Sequence, residues 1–339
     1  MPDFSYQTTE ELREIDPILL DAETANDPIF ELFPIRNTDS DRLVWEQRDS
    51  YRGLEQVRGL NGEPPRVRPI GKNRYSFEPG VYGEYMDVDE MEMTRRAAPA
   101  NRGMAIPIDD LVTERQEQLL VRQTNRMRWI AWELLVNGYF AVTNDAGSVV
   151  HADGYDQQVY TAGVTWATYA TATPIVDFTS VSLLPRGTSA SLGANATAWM
   201  NQLTFNDLIR NTNSADLGGK SVGVQGNRAQ NEGDVSTILL AQGLPRIRVY
   251  DEGYLNDAGT WTPFIPNNRV VVIGARRNNA SLGEWLATRN VNNPGGAPGV
   301  YTKVIDHLDR KVPRKIEVHR GFNGGAVIYF PGSVCVMVV

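Results

Sequence analysis

The residues from Asp109 to Asn137 have the spacing of one unusually long, mostly polar helix. At 1.5 Å per residue this helix would be about 43 Å long, whereas a mean helix has only about 11 to 12 residues. Its apolar side chains fall on one face, and they are Val112, Leu119, Met127, Ile130 and Leu134. Asp109 and Asp110 suit a helix start, and Gly138 suits a left-handed stop. A helix of this length favours contact with other subunits.

An aromatic and arginine-rich segment precedes the helix. From Arg74 to Arg96 it reads RYSFEPGVYGEYMDVDEMEMTRR, which predicts the returning arm of an extended β-hairpin that leaves from a strand at 42–47. The break at Pro79-Gly80 is too prominent for a central strand. A surface hairpin without a partner is the alternative. Because the excursion is long for an unsupported loop, we expect it to reach another subunit.

Several short blocks occur in the order of a known family. They are Asp27-Pro28-Ile29-Phe30, Phe77-Glu78-Pro79-Gly80, Met93-Thr94-Arg95-Arg96, Asn137-Gly138-Tyr139-Phe140, Phe264-Ile265-Pro266-Asn267-Asn268 and Val270-Val271-Val272-Ile273-Gly274. In this order the chain resembles the major capsid protein of lambda-type tailed bacteriophages, the capsid protein E family, which has the Hong Kong 97 fold. The resemblance implies an α+β fold and a structural function. Many copies would form the icosahedral head shell around a double-stranded DNA genome.

The resemblance also implies a division of the chain. The expected parts are an N-terminal arm with the first strand (1–48), an extended loop (49–95), a peripheral domain with the spine helix 109–137 (96–175), an axial domain (176–300), a return to the peripheral domain (301–320) and C-terminal strands of the axial domain (321–339).

Local patterns add shorter elements to this outline. A helix that starts near Thr8 should stop before Pro17, and the rest of the first 40 residues should be extended. Residues 139–160 predict a hairpin with Asn144-Asp145-Ala146-Gly147 in its turn. Further helices are expected at 204–211 and 235–242. Further strands are expected at 246–250, 261–264, 269–273, 312–319 and 326–339.

The candidate site residues are contacts between subunits. They comprise Arg66, Arg68, Arg74, Tyr75, Phe77, Tyr82 and Tyr85 in the loop, Arg95 and Arg96 at its base, and Arg115, Arg122 and Arg126 on the helix. Guanidinium groups pair bidentately with carboxylates and are less strongly hydrated than lysine, and only five of the 33 basic residues are lysine. A solvated flank is the alternative for the helix arginines.

Lys72 is the only lysine before Lys220, and it is expected near the tip of the loop. Some Hong Kong 97-type shells join a loop lysine to an asparagine of a neighbour, which needs a nearby carboxylate and a dry pocket. The resemblance implies that lambda-type shells use a separate decoration protein instead. We therefore expect no cross-link at Lys72.

No catalytic, cofactor or metal site is expected. The segment Asp216–Ser221 ends like a phosphate-binding loop but lacks its first glycine and the preceding apolar strand. Gly187-Thr188-Ser189 lacks the flanking glycine of a nucleophile elbow. The acidic run Asp87–Glu92 is typical of an exposed strand, with Val88 on the opposite face.

The histidines and the cysteine are predicted to have structural or solvated side chains and no chemical role. His151, His307 and His319 lack metal-binding spacing, and His307, among Asp306 and charged neighbours, predicts a solvated side chain. Cys335 lies in an apolar run and predicts a buried structural thiol.

Charge and targeting patterns limit the partners. A net charge of −8 argues against broad capture of nucleic acid, so the DNA would be enclosed without sequence-specific binding. There is no secretion signal and no apolar run long enough to span a membrane. The resemblance implies assembly in the host bacterial cytoplasm and a final location in the virion.

The expected partners are other copies of the chain, in pentamers and hexamers, together with portal, scaffolding and decoration proteins. The family-like blocks begin within the first 30 residues, which predicts a separate scaffolding protein. Two alternatives stay open: an encapsulin-like cellular nanocompartment shell protein, and a soluble enzyme with a β-rich accessory domain.

Overall fold

The computed structural model describes residues 9–48, 54–55, 57–58, 60, 62–64, 66, 72–97, 108–143, 148–186, 190–211, 231–256, 258–275, 281–307 and 314–339. Its helices are α1 (Thr9–Thr24), α2 (Pro28–Leu32), α3 (Glu90–Ala97), α4 (Ile108–Asn137), α5 (Pro174–Leu183), α6 (Gln202–Arg210) and α7 (Glu232–Ala241). Its strands are β1 (Ile35–Asn37), β2 (Leu43–Arg48), β3 (Lys72–Phe77), β4 (Gly80–Asp89), β5 (Tyr139–Thr143), β6 (Val149–Gly154), β7 (Gln158–Thr161), β8 (Thr197–Met200), β9 (Arg246–Val249), β10 (Gly253–Leu255), β11 (Trp261–Pro263), β12 (Arg269–Ile273), β13 (Gly283–Ala287), β14 (Val300–Asp306), β15 (Lys315–Ile328) and β16 (Val334–Val338).

The long helix α4 confirms the prediction from its apolar spacing. It begins one residue before the predicted start and ends at the predicted residue, Asn137. Each of the five apolar residues predicted to share a face is buried. Gly138 follows with a φ of 68°, and its N–H donates to the carbonyl of Leu134 at 3.0 Å. The glycine thus closes the last turn in a conformation that other residues rarely adopt.

Two five-stranded sheets organise the described residues. In the first, the long strand β15 pairs antiparallel with β4, β13 and β14, and β1 adds to β13 in parallel. In the second, the strand order is β7, β16, β12, β8, β9. The pairs β2–β3, β5–β6 and β10–β11 form separate two-stranded ribbons.

Helix α4 joins the packing of the two sheets. Its C-terminal half, which includes Trp132 and Leu135, lies in one core cluster with Trp285 of the first sheet and Val271 of the second. Its N-terminal half packs with α1 and the first sheet, where Val88 is fully buried. The far face of the second sheet is covered by α5, α6 and α7. Helix α4 is therefore packed into the core of its own subunit along its whole length.

The N-terminal segment differs from the prediction. Helix α1 continues through Pro17 to Thr24, and α2 forms at residues 28–32, so the expectation of an early stop and an extended arm was wrong. Proline disfavours a helix interior because it removes one hydrogen bond and crowds the preceding turn. Tertiary packing overrides this preference, since Leu12 is fully buried and Asp16 is bonded to the first sheet.

Two predicted boundaries also change. Strand β4 pairs with β15 over its whole length, so residues 80–89 belong to the first sheet and the loop predicted at 49–95 is shorter. Strand β15 crosses the predicted boundary between residues 320 and 321, and it also pairs with β13 from the predicted axial segment. The predicted strand at 326–339 is also divided. Its first residues end β15 in the first sheet, and its later residues form β16 in the second sheet.

Most of the shorter predictions are confirmed. The ribbon β5–β6 lies within the predicted hairpin, while its predicted turn, 144–147, lies outside the described residues. Helix α6 and strands β9, β11 and β12 occur within two residues of their predicted positions. Helix α7 starts three residues early because Asn231 caps it by accepting from the N–H of Asp234 at 2.8 Å.

Candidate inter-subunit contact surface

The predicted extended loop leaves the subunit from a hairpin whose root is packed by aromatic rings. Strands β2 and β3 pair from Leu43 opposite Phe77 to Arg48 opposite Lys72. The ring of Trp45 stacks on Tyr75 at 5.6 Å and on Phe77 at 5.2 Å. Leu43 and Trp45 also share a core cluster with two residues of the first sheet. Tyr75 and Phe77 therefore fix the root to its own subunit.

Beyond this root lies the segment here named the arm, residues 49–71. Its described apolar residues are almost fully exposed: Leu54 at 95%, Val57 at 97% and Leu60 at 100%. Among the predicted contact residues, Arg66 of the arm and Arg74 of β3 are also exposed. Arg68 lies outside the described residues. The arm thus presents apolar and cationic side chains that its own subunit does not cover.

Lys72 was predicted to lie near the tip of the loop, and this prediction was wrong. It begins β3 and pairs with Arg48 at the root of the hairpin. Its side chain is outside the described part of the chain, so the predicted absence of a cross-link stays a prediction.

The two tyrosines of β4 differ in their surroundings. The hydroxyl of Tyr82 lies 2.5 Å from Nδ1 of His151, and its ring stacks on Phe322 at 4.8 Å. Burial raises the pKa of Tyr82 and lowers that of His151 to about 4, so the pair is neutral at physiological pH. Tyr85 stacks on His319 at 5.1 Å but keeps 55% of its surface exposed. Only Tyr85 presents a broad surface to a neighbour.

The helix arginines find partners in their own chain. Arg122 donates two hydrogen bonds to Glu84, at 2.5 and 2.9 Å, and this bonding holds the pKa of Glu84 below its usual value. Arg115 donates to Glu92 at 2.7 Å. Arg126 lies over the ring of Trp129 at 5.4 Å. A contact with an adjacent subunit, which was predicted for these arginines, is thus not needed to pair Arg115 or Arg122, and it stays a prediction.

The arginines at the end of the predicted loop lie on a helix. Arg95 is exposed on α3, and the side chain of Arg96 is outside the described residues. The acidic run Asp87–Glu92 was predicted to form one exposed strand. This prediction was wrong, because the helix already begins at Glu90. The buried Val88 behind this run is as predicted.

Sequence reasoning missed a buried polar network that holds α1 in place. Arg320 of β15, only 2% exposed, donates to the carboxylate of Asp16 and, through Nε, to Oε1 of Gln123 at 2.6 Å. Asp16 also accepts from Gln116 of α4 at 2.7 Å and from the hydroxyl of Thr302. Up to 304 residues separate the bonded groups. No local sequence pattern could have indicated this set.

Two of the three histidines converge on one carboxylate. The Glu317 carboxylate lies 3.1 Å from Nε2 of His319, 3.2 Å from Nε2 of His307 and 3.2 Å from Nζ of Lys315. Burial by itself would raise the pKa of Glu317, but the hydrogen bond with His319 and the close approach of His307 and Lys315 bring it down to about 2. The expectation that His307 is a solvated side chain was wrong, since only 19% of it is exposed.

The described residues offer little chemistry of other kinds. They hold no group of three or more His, Cys, Asp or Glu side chains placed so that they could hold a metal ion, and no helix long and apolar enough to cross a membrane. The phosphate-loop-like segment 216–221 and the segment 187–189 lie outside them. Cys335 is fully buried, as predicted, and burial raises the pKa of its thiol to about 12.

The fold is shared with phage capsid subunits. It is similar to a prophage protein of E. coli CFT073 assigned as a capsid protein, with 13% identity, 99% of both chains covered and a TM-score of 0.59. It is also similar to the capsid of cyanophage A-1(L), with 13% identity, coverage of 93% and 94% and a TM-score of 0.52. A phage-related protein of Bordetella bronchiseptica RB50 matches at 9% identity, with coverage of 95% and 96% and a TM-score of 0.52.

These similarities, with the long helix and the hairpin root, define a subunit of the Hong Kong 97 type. The family model of phage major capsid protein E matches residues 27–318, so the chain belongs to that family. It is a structural protein of the phage head shell, and the encapsulin-like alternative is not favoured. A comparison with curated proteins gave no significant match.

Proposed function

We propose that copies of this chain assemble, as pentamers and hexamers, into the icosahedral head shell that encloses the double-stranded DNA of a tailed phage. The observation that carries the proposal is the arm, whose described apolar residues are 95% to 100% exposed while its root is packed on the first sheet. Exposed apolar side chains on a fixed root gain free energy when a second copy buries them. Each arm therefore lies over a neighbouring subunit.

The two sheets take different places in the shell. The first sheet with α4 is the peripheral domain, and the second sheet with α5 to α7 is the axial domain that surrounds the symmetry axes. The net charge of −8 supports a shell that encloses DNA without gripping its phosphates. Assembly takes place in the host cytoplasm, and the assembled protein remains in the virion.

Assembly also requires partners. A scaffolding protein guides shell size, a portal protein occupies one vertex, and a decoration protein reinforces the outer surface. Expression of the chain alone is expected to give few or aberrant shells, and co-expression with the scaffolding protein to give uniform ones. Electron microscopy with light scattering measures both. Uniform shells from the chain alone would exclude a required scaffold, and a monomer under both conditions would contradict the shell proposal itself.

Non-covalent contacts hold the shell together. Lys72 starts a paired strand at the hairpin root and not the tip of the loop, where the cross-linking lysine was expected. Mature particles boiled in denaturant are therefore expected to run as monomers near 37.7 kDa on a gel. A ladder of heavier bands in the natural protein that disappears in Lys72→Arg would show that the cross-link exists.

A further inference from the structure

A small cavity lies where the hairpin root, α4 and the ribbon β5–β6 meet. Its volume is about 70 Å³, and it is lined by Trp45, Tyr75, Leu134, Ile328 and residues 153–156. A cavity needs only about 10 to 15 Å³ by this kind of measure to hold one water. The space is therefore large enough for the planar head of one side chain.

Asp153 is the buried polar group of this cavity. Only 6% of the residue is exposed, and its carboxylate accepts a hydrogen bond from the N–H of Gly154 at 2.7 Å. Among the described residues, no cationic side chain pairs with it. A buried carboxylate without a cation destabilises the protein that contains it, so charges in such positions are normally paired. The described part of the isolated subunit supplies no such partner.

The other titratable groups around Asp153 supply no positive charge. The hairpin contributes Tyr75, and the chain after β6 contributes Tyr155 and Asp156. Helix α4 and strand β15 contribute only apolar side chains to the cavity. His151, two residues earlier on β6, is bonded to Tyr82. Burial, opposed by the bond from Gly154, raises the pKa of Asp153 from 3.8 to about 6, so the carboxylate is charged at pH 7.

The lining of the cavity selects an arginine. Guanidinium groups pair with carboxylates and stack on aromatic rings, and the cavity offers Asp153 together with Trp45 and Tyr75. The arm carries arginines at four positions, Arg52, Arg58, Arg66 and Arg68. Of these, the described Arg58 and Arg66 are exposed. The arm also carries Asp49, Glu55 and Glu63, so the complementarity between two copies is that of single arginines with the buried acid at the root of the hairpin.

We propose that the Asp153 cavity receives an arginine from the arm of a neighbouring copy in the shell. This inference rests on the proposed function, because it assigns the place where one arm engages the next subunit. The cavity is continuous with the hairpin root, where the proposed interface begins. The guanidinium supplies a cation that the described residues of one subunit do not provide, so assembly stabilises the buried charge.

Asp153→Asn is expected to affect the isolated subunit and the assembled shell in opposite directions. Asparagine keeps an oxygen for the bond from Gly154 but carries no charge. Since the folded pKa is raised, the carboxylate lowers the stability of the isolated subunit as pH rises from about 4 to 6. The variant subunit is expected to lose this pH dependence and to melt at the same or a higher temperature at pH 7. Its shell yield under co-expression is expected to fall tenfold or more, equivalent to about 1.4 kcal/mol.

Asp21→Asn is the matched control. It removes the same charge from an exposed position on α1 and is expected to change neither melting temperature nor shell yield. Arg52, Arg58, Arg66 and Arg68 are then replaced by Gln, each alone and each with Asp153→Asn. Replacement of the arginine that enters the cavity is expected to reproduce the loss of shell yield. In the double variant with Asp153→Asn, the same replacement should lower the yield little further.

The outcomes are distinguishable. If the natural chain fails to form shells with its scaffold, the proposed function fails. If natural shells form and Asp153→Asn assembles equally well, or if all four arginine variants add to its effect, the inference is overturned. An electron microscopy map of the shell with only solvent or a free cation in the cavity would overturn it too.

Discussion

Asp16→Ala is expected to lower the free energy of unfolding of the unassembled subunit by about 3 to 5 kcal/mol, the usual loss when one partner of a buried ion pair is removed. The carboxylate accepts hydrogen bonds from Arg320, Gln116 and Thr302, which belong to three different elements. Its loss leaves the guanidinium of Arg320 inside the protein without its counter-ion. The docking of α1 on α4 and the first sheet should weaken with it.

Urea denaturation and thermal melting of the unassembled variant measure this effect. Asp21→Ala, which removes an exposed acid from the same helix, should shift the melting temperature very little. The double variant Asp16→Leu with Arg320→Met removes both charges and should be more stable than Asp16→Ala alone. A loss of less than about 1 kcal/mol for Asp16→Ala would contradict the structural role of the network.

The sequence predicts the long helix well because the information is local. The apolar spacing of Val112, Leu119 and Met127 and the stop at Gly138 each act within a few turns, and the structure retains them. The block order gave the fold class for a different reason, since it compares the chain with a family. Neither the local spacing nor the comparison with a family predicts which side chains pair with each other.

The failures share one physical cause, which is contact between residues far apart in the sequence. Nothing near Pro17 indicates that Asp16 bonds to Arg320, so the helix was expected to stop early. The ladder between β4 and the distant strand β15 likewise packs Tyr82 against Phe322 of its own subunit. The Asp153 cavity is assembled from five separate segments. Its single sequence signal is an acid near the end of a short strand, which is too common a feature to identify a site.

Replacement of the arm, residues 49–71, by Asn-Gly is expected to leave the fold intact and to abolish stable shells. Arg48 and Lys72 are directly opposed across β2 and β3, so a two-residue turn can close the hairpin. Shortening a loop changes its closure free energy by only about 0.6 kcal/mol per halving of length. Cooperative melting of the unassembled variant should therefore be preserved.

The assembly loss follows from the number of arms. Each buried arm contact is worth about 2 kcal/mol or more when it includes a hot-spot residue, roughly a 30-fold change in equilibrium constant. Every subunit in the shell loses the contact made by its own arm and the contact made by the arm of a neighbour. Electron microscopy and sedimentation of the variant, co-expressed with the scaffolding protein, are expected to show unassembled subunits. Normal shells from the armless chain would mean that the arm projects into solvent.

A second deletion, of residues 56–88, distinguishes the arm from the body of the subunit. The sequence alone placed residues 49–95 in the loop, and on that basis both deletions would spare the fold. The structure predicts a sharp contrast, because the longer deletion removes most of β4, which pairs with β15, and the fully buried Val88. The 56–88 variant should fail to melt cooperatively, while the Asn-Gly variant melts like the natural subunit. If both melted normally, the ladder between β4 and β15 would contribute little to folding, and the boundary between arm and body at residue 72 would be wrong.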